Sequence, residues 1–253
     1  MSIGFCLWRR LALLLGLAGA VGFWLSPAAA ADFTPEQRKA IEDIIHDYLT
    51  KNPDLMLDVL QAAQDKLKGE SREKAAGALV EHKRELLDDP ETPVAGNPKG
   101  DVSLVEFFDY RCPYCKQVVP ALEALLAKDK QLRFVYKEFP VLGPDSVHAA
   151  RAALAARKQG KYEAMHRALM TVKGQIDEPA IIKVAASVGL DVERLKADMA
   201  APEIDRALKA NIKLAEALEI HGTPGFVIGD EIVPGAVSLE TLKQLIDAAR
   251  HSK

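Results

Sequence analysis

The chain is poor in the features that would place it in several common classes. It has three cysteines in 253 residues, Cys6, Cys112 and Cys115, too few for the disulfide framework on which small secreted scaffolds depend. It has no basic surplus: the formal net charge is −3, and a nucleic-acid binder needs a concentrated basic surface. Long apolar runs are also scarce. The one at the start, Leu11 to Leu25, falls short of the roughly 18 to 20 apolar residues that a membrane-crossing helix needs.

That run follows the basic pair Arg9-Arg10 and precedes the small-residue stretch "SPAAAA", the order of a secretory signal peptide. We therefore expect export to the periplasm, with residues 1–31 removed near Ala30 or Ala31. Both tryptophans, Trp8 and Trp24, would leave with that segment, as would Cys6. Its removal takes away two cations and no acid, moving the charge from −3 to −5. An exported chain sits in an oxidising compartment, where one remaining cysteine pair has more chemical than structural meaning.

The next segment opens with Thr34, Pro35 and Gln37, a capping box with proline at the first helical position. Ile41, Ile44, Ile45, Tyr48 and Leu49 recur at helical spacing, and after Asn52-Pro53 a second stripe follows in Leu55, Val59, Leu60, Ala63 and Leu67. Two short helices cannot bury such stripes on each other alone. Residues 32–68 are therefore expected to dock on the rest of the chain or on another copy. The charged run in 69–96 reads as a helical linker ending at a boundary in "PETPVAGNPKG". His46 and His82 in these helices read as surface or interface residues.

From residue 97 the pattern becomes α/β. "VSLVEFFDY" and "RFVYKEFP" read as strands, "GFVIG" and "EIVPG" as a later pair, and a helical block fills about 145–219 between them. A last helix starts at Ser238. This is a mixed α/β domain with a helical insertion.

Its chemistry centres on "FFDYRCPYCK". Cys112 follows a strand, and Pro113 suits the first position of a helix because its missing N–H is not needed there. A cysteine at a helix start meets unpaired amides and the positive end of the helix dipole, which favour thiolate. Cys112 is thus the expected nucleophile and Cys115, three residues on, the resolving thiol. A structural staple over so small a loop would remove little chain entropy. A closed zinc site would need four ligands, and no second cysteine pair exists beyond residue 31; His148, His166 and His221 could complete one only through tertiary proximity. A lone C-x-x-C after a strand leans to redox work, with no metal and no cofactor. Alternation along the strand "VSLVEFFDY" puts Glu106, Phe108 and Tyr110 on one side and Val105 and Phe107 on the other, which leaves Glu106 either buried or in solvent.

"VEFFDYRCPYCK", "RFVYKEFP" and "HGTPGFVIG", in that order, resemble the DsbA-like branch of the thioredoxin superfamily, and residues 32–68 resemble the amino-terminal helices of ScsC proteins. The resemblance implies a thioredoxin-like fold over 97–253. It implies that Cys112 attacks a disulfide and Cys115 resolves it, that Pro224 is cis with the Thr223 backbone free to meet a client peptide, and that Glu106 lies beneath the active-site pair as a proton carrier. Two departures from the strong oxidases point toward isomerase or reductase work. Tyr114 stands where those carry histidine, which should make the disulfide less oxidising, and Thr223 precedes the proline where valine is usual. The implied partners are exported client proteins, a membrane redox partner and further copies of the chain through residues 32–68, a trimer favoured and a dimer the alternative. A dithiol oxidase and a copper-handling envelope protein using the same cysteines are the competing readings.

Overall fold

The computed structural model describes residues 33–251; the expected signal peptide, its cleavage point and Cys6 lie outside the described residues. The chain divides into two compact units, with the division between Leu60 and Gln61.

In the first unit, Thr34 caps α1 (Pro35–Lys51) with both hydrogen bonds of the expected capping box. Asn52 closes α1 with its N–H on the carbonyls of Leu49 and Tyr48, and Pro53 opens α2 (Pro53–Glu81). No residue of α1 is buried. Ile44, Ile45 and Tyr48 are 68%, 52% and 57% exposed, and Leu55, Val59 and Leu60 are exposed as well.

The structure differs from the sequence reading at residues 69–96. The second stripe and the charged run are one continuous helix of 29 residues. Gly69 and Gly77 sit in it with open space around them, and single glycines cost only about 1 kcal/mol each in a helix, too little to break it. The charged face hides a short apolar one. Leu79, and Leu86 on the next helix α3 (Lys83–Leu87), are buried with Val105, Phe107, Val135 and Val227 of the sheet. The sheet also begins earlier than residue 97, with a strand β1 (Val94–Gly96) in the stretch read as a boundary. It is an edge strand, where a neighbouring proline is tolerated because only one side of the strand needs its hydrogen bonds.

The second unit holds a five-stranded sheet in the order β1-β3-β2-β4-β5. The central strands, β2 (Val102–Phe108) and β3 (Leu132–Glu138), run parallel, joined by the crossover helix α4 (Pro113–Lys128); β1, β4 (Gly225–Ile228) and β5 (Glu231–Pro234) pair antiparallel. Between β3 and β4 lie α5 (Pro144–Ala156), α6 (Tyr162–Thr171), α7 (Glu178–Ser187), α8 (Val192–Met199) and α9 (Pro202–Ala217), the expected helical insertion. Ser238 accepts from the Thr241 N–H at the start of α10 (Leu239–His251).

Both faces of the sheet are covered. Leu104 and Phe108 of β2 and Phe134 of β3 face a core shared with α4, the insertion and α10. Val105, Phe107 and Val135 face the other, with Leu214 and Leu218 at the end of α9. Each fully buried Leu or Phe side chain contributes about 1.5–3 kcal/mol. Truncating Phe107, which is fully buried, would cost about 3–5 kcal/mol. This two-sided burial is what holds the end of β2, and the turn after it, in one place.

Candidate active site

That turn carries the cysteines. Cys112 is the N-cap of α4 with an extended backbone, and Pro113 is the first helical residue. The Cys112 N–H donates to the Asp109 carbonyl at 3.0 Å, and the Cys112 carbonyl accepts from the Lys116 N–H at 3.2 Å. The sulfur therefore sits where the first amides of α4 lack partners, in the positive field of the helix start. Cys115 lies one turn along and is fully buried. Both are free thiols.

The β4 end of the fold meets them from the other side. The Thr223–Pro224 peptide bond is cis, and the Thr223 carbonyl accepts from the Cys112 Sγ at 3.2 Å. The Pro224 carbonyl is occupied by the Gly235 N–H at 2.8 Å, just past the end of β5, so this loop is anchored there while the Thr223 carbonyl faces the Cys112 sulfur. Tyr114 is 60% exposed, and the hydrogen bond of the Cys112 sulfur among the described residues goes to the Thr223 carbonyl.

Burial sets the acid–base character beneath the pair. Glu106 is 2% exposed, so its alternative placement in solvent does not occur. Burial pushes its carboxyl up to about 8, and its Oε1 has no hydrogen-bond partner among the described residues. Burial also raises the Cys115 thiol well above the ordinary range, and the Glu106 charge adds to the rise, while the Asp109 backbone acts in the opposite direction. A thiol that resists ionisation beside a carboxyl near neutrality is a pair between which a proton can pass.

Several polar residues near the turn were not found from the sequence. Asp109 is 1% exposed and gathers donors from two loops. Glu138, at the end of β3, accepts from the Tyr110 and Tyr162 hydroxyls, both at 2.8 Å, and Tyr110 also meets His166 Nδ1 at 3.1 Å. Burial raises Glu138 to about 8 and lowers His166 to about 3. His166, named above only as a conceivable zinc ligand, is a buried member of this network. His221 stays exposed beside Glu219. Among the described residues no group of three or more His, Cys, Asp or Glu side chains is placed to hold a metal ion. A cavity of about 660 Å³ lies against Lys137 and α9, and none of the residues around the cysteines lines it.

A dithiol at a helix start, facing a cis-proline loop across a thioredoxin-like sheet, is the arrangement of a thiol-disulfide oxidoreductase. Comparison with known proteins places it further. Residues 103–247 match the DSBA-like thioredoxin domain and residues 37–68 the copper resistance protein ScsC N-terminal domain. A thioredoxin-like oxidoreductase from Silicibacter pomeroyi DSS-3 is 48% identical, with 67% of this chain and 98% of that one covered and a TM-score of 0.66. Proteus mirabilis ScsC in a transitional conformation is 29% identical, with 87% of this chain and 98% of that one covered and a TM-score of 0.65. Among curated proteins, a Na(+)/H(+) antiporter, NhaA 3 of Salinispora tropica, is 27% identical over 165 residues, 64% of this chain. The chain spans only about a quarter of the length of such curated relatives, 25% in that case, and no described helix is long and apolar enough to cross a membrane. The chain belongs to the DsbA-like thioredoxin-domain family and carries an ScsC-type N-terminal domain ahead of it.

Proposed function

We propose that the protein is an exported thiol-disulfide isomerase or reductase acting on disulfides of other exported proteins. The observation that carries the reading is the placement of Cys112 Sγ, at the start of α4 and 3.2 Å from the Thr223 carbonyl. A client strand laid beside the cis-proline loop would bring its disulfide onto that sulfur.

The Cys112 thiolate attacks one client sulfur; the client S–S bond breaks, a Cys112–client bond forms and a client thiolate leaves. In reduction, Glu106 in its carboxylate form, present in part near neutral pH because burial sets the carboxyl at about 8, takes the Cys115 proton, and the Cys115 thiolate attacks the Cys112 sulfur. The Cys112–Cys115 disulfide then forms, the second client thiolate leaves, and the client has gained the two electrons the enzyme lost. In isomerisation, another client thiolate attacks the client sulfur of the mixed disulfide and releases Cys112 unchanged. Tyr114 favours these over strong oxidation, because it supplies no cation to hold the thiolate and so leaves the enzyme's disulfide less oxidising. Thr223 before the cis-proline supports the same direction.

The exposed apolar faces of residues 32–68 support assembly of several copies, a trimer by likeness to ScsC. Exposed apolar residues that recur along one helix, such as Ile41, Ile44, Ile45 and Tyr48, favour an interaction site, and several active sites on one client raise their effective concentration. A membrane redox partner would return the cysteines to the reduced state. Refolding of scrambled ribonuclease, compared with oxidation of fully reduced ribonuclease, tests the direction. Activity on the scrambled substrate is expected, and activity confined to the reduced one would make the protein an oxidase.

A further inference from the structure

Four residues, 109–112, join β2 to α4, and a short loop, 139–143, joins β3 to α5. One buried side chain ties them. Asp109 Oδ1 accepts from the Arg111 N–H at 2.7 Å and from the Ser146 hydroxyl at 2.8 Å; Oδ2 accepts from the Leu142 N–H at 3.0 Å. The Asp109 carbonyl meanwhile holds the Cys112 N–H at 3.0 Å. Ser146 is as buried as Asp109, at 1% exposed. An ionised carboxylate only accepts, and here three donors converge on one.

A second contact locks the same two loops. The Arg111 guanidinium donates to the Leu142 carbonyl at 2.6 Å, so both peptide groups of Leu142 are held by the turn that precedes Cys112. The approach is close: Gly143 has φ of +108°, and a side-chain carbon there would come within 3.3 Å of Arg111 Nη1.

We propose that Asp109 is a positioning residue for thiol-disulfide exchange, fastening the nucleophile's turn and the β3–α5 loop into one rim that fixes Cys112 Sγ at the start of α4. The proposal rests on Cys112 being the nucleophile. Loss of the fastening lets the turn shift, and misplacement of a reacting atom by an ångström from a remote change costs orders of magnitude in rate.

The test uses Asp109→Asn, which keeps shape and an oxygen for Arg111 and Ser146 but turns an amide nitrogen toward the Leu142 N–H. The rate at which the reduced protein exchanges with a disulfide-bonded client peptide should fall roughly tenfold or more. In a Cys115→Ser background, the pH midpoint for alkylation of Cys112 by iodoacetamide should move up, because a displaced sulfur loses the helix-start amides. A mere negative charge near the sulfur would give the opposite shift on its removal, a lower midpoint. Ser146→Ala keeps the carboxylate and should move both readouts the same way by less; it carries the test alone if Asp109→Asn does not fold. Folded variants with unchanged rate and midpoint, or with a lowered midpoint, overturn the proposal. Cys112→Ser is measured alongside. If it still exchanges disulfides, the nucleophile assignment fails; if it does not and the Asp109 and Ser146 variants behave as wild type, only the positioning role fails.

Discussion

Glu106→Gln should change how stability depends on pH, by an amount the structure sets. The wild-type carboxyl rises from 4.5 to about 8 on folding because it is buried. A carboxyl raised in this way stabilises the fold fully only below its unfolded pKa, and that contribution is lost as the pH climbs toward the folded value. At about 1.4 kcal/mol per unit, the loss between about pH 5 and pH 8 is roughly 3 kcal/mol. Glutamine has the same shape and does not titrate. Urea unfolding of the dithiol forms should therefore show wild type losing roughly 3 kcal/mol relative to Glu106→Gln across that range. Glu138 and His166 titrate in both proteins and largely cancel in the difference; Lys137, lowered to about 8 by burial, acts mainly above the window. The amide will carry its own cost in that pocket, but a cost independent of pH. Parallel stability profiles for the two proteins would mean that the fold does not bring the Glu106 carboxyl into the neutral range, and its part in moving the Cys115 proton would fall with it.

Three other outcomes follow from the same site. Tyr114→His should make the Cys112–Cys115 disulfide more oxidising, by about 30 mV for each tenfold gain in thiolate stability; equilibration against glutathione reads it, and an unchanged potential would remove Tyr114 as the determinant of direction. Cys115→Ser should accumulate a covalent Cys112–client adduct on non-reducing gels, whereas Cys112→Ser should not; equal trapping by both would contradict the assigned order of attack. Ile44→Asp with Ile45→Asp places charges on an exposed apolar face of α1 and should yield monomers by light scattering, with exchange on a small disulfide peptide retained and scrambled-ribonuclease activity reduced severalfold; an oligomer that survives both changes would place the interface elsewhere.

Much of this site was legible because its determinants are local. Cys112, Pro113 and the preceding apolar run specify a strand followed by a helix start in ten residues, and the capping box at Thr34 needs only four. Glu106 was ambiguous for a physical reason. Alternation along a strand reports which side faces water only when one side does, and β2 is covered on both faces. The long α2 was divided because charge at regular spacing reads as solvated surface, and the burial of Leu79 depends on a strand more than twenty residues away. Asp109 was missed for a related reason: two of its partners, Leu142 and Ser146, are 33 and 37 residues along the chain. The edge strand β1 is short, at three residues, and exists only because β3 offers it a partner at Val135.

The most direct measurement is the redox state of Cys112 and Cys115 in growing cells, taken by acid quenching and alkylation before lysis. An isomerase or reductase must keep Cys112 as a thiol ready to attack, so the pair should be found mostly reduced. A pair found mostly as the disulfide would contradict the proposed direction of electron flow and make the protein a donor of disulfides to its clients.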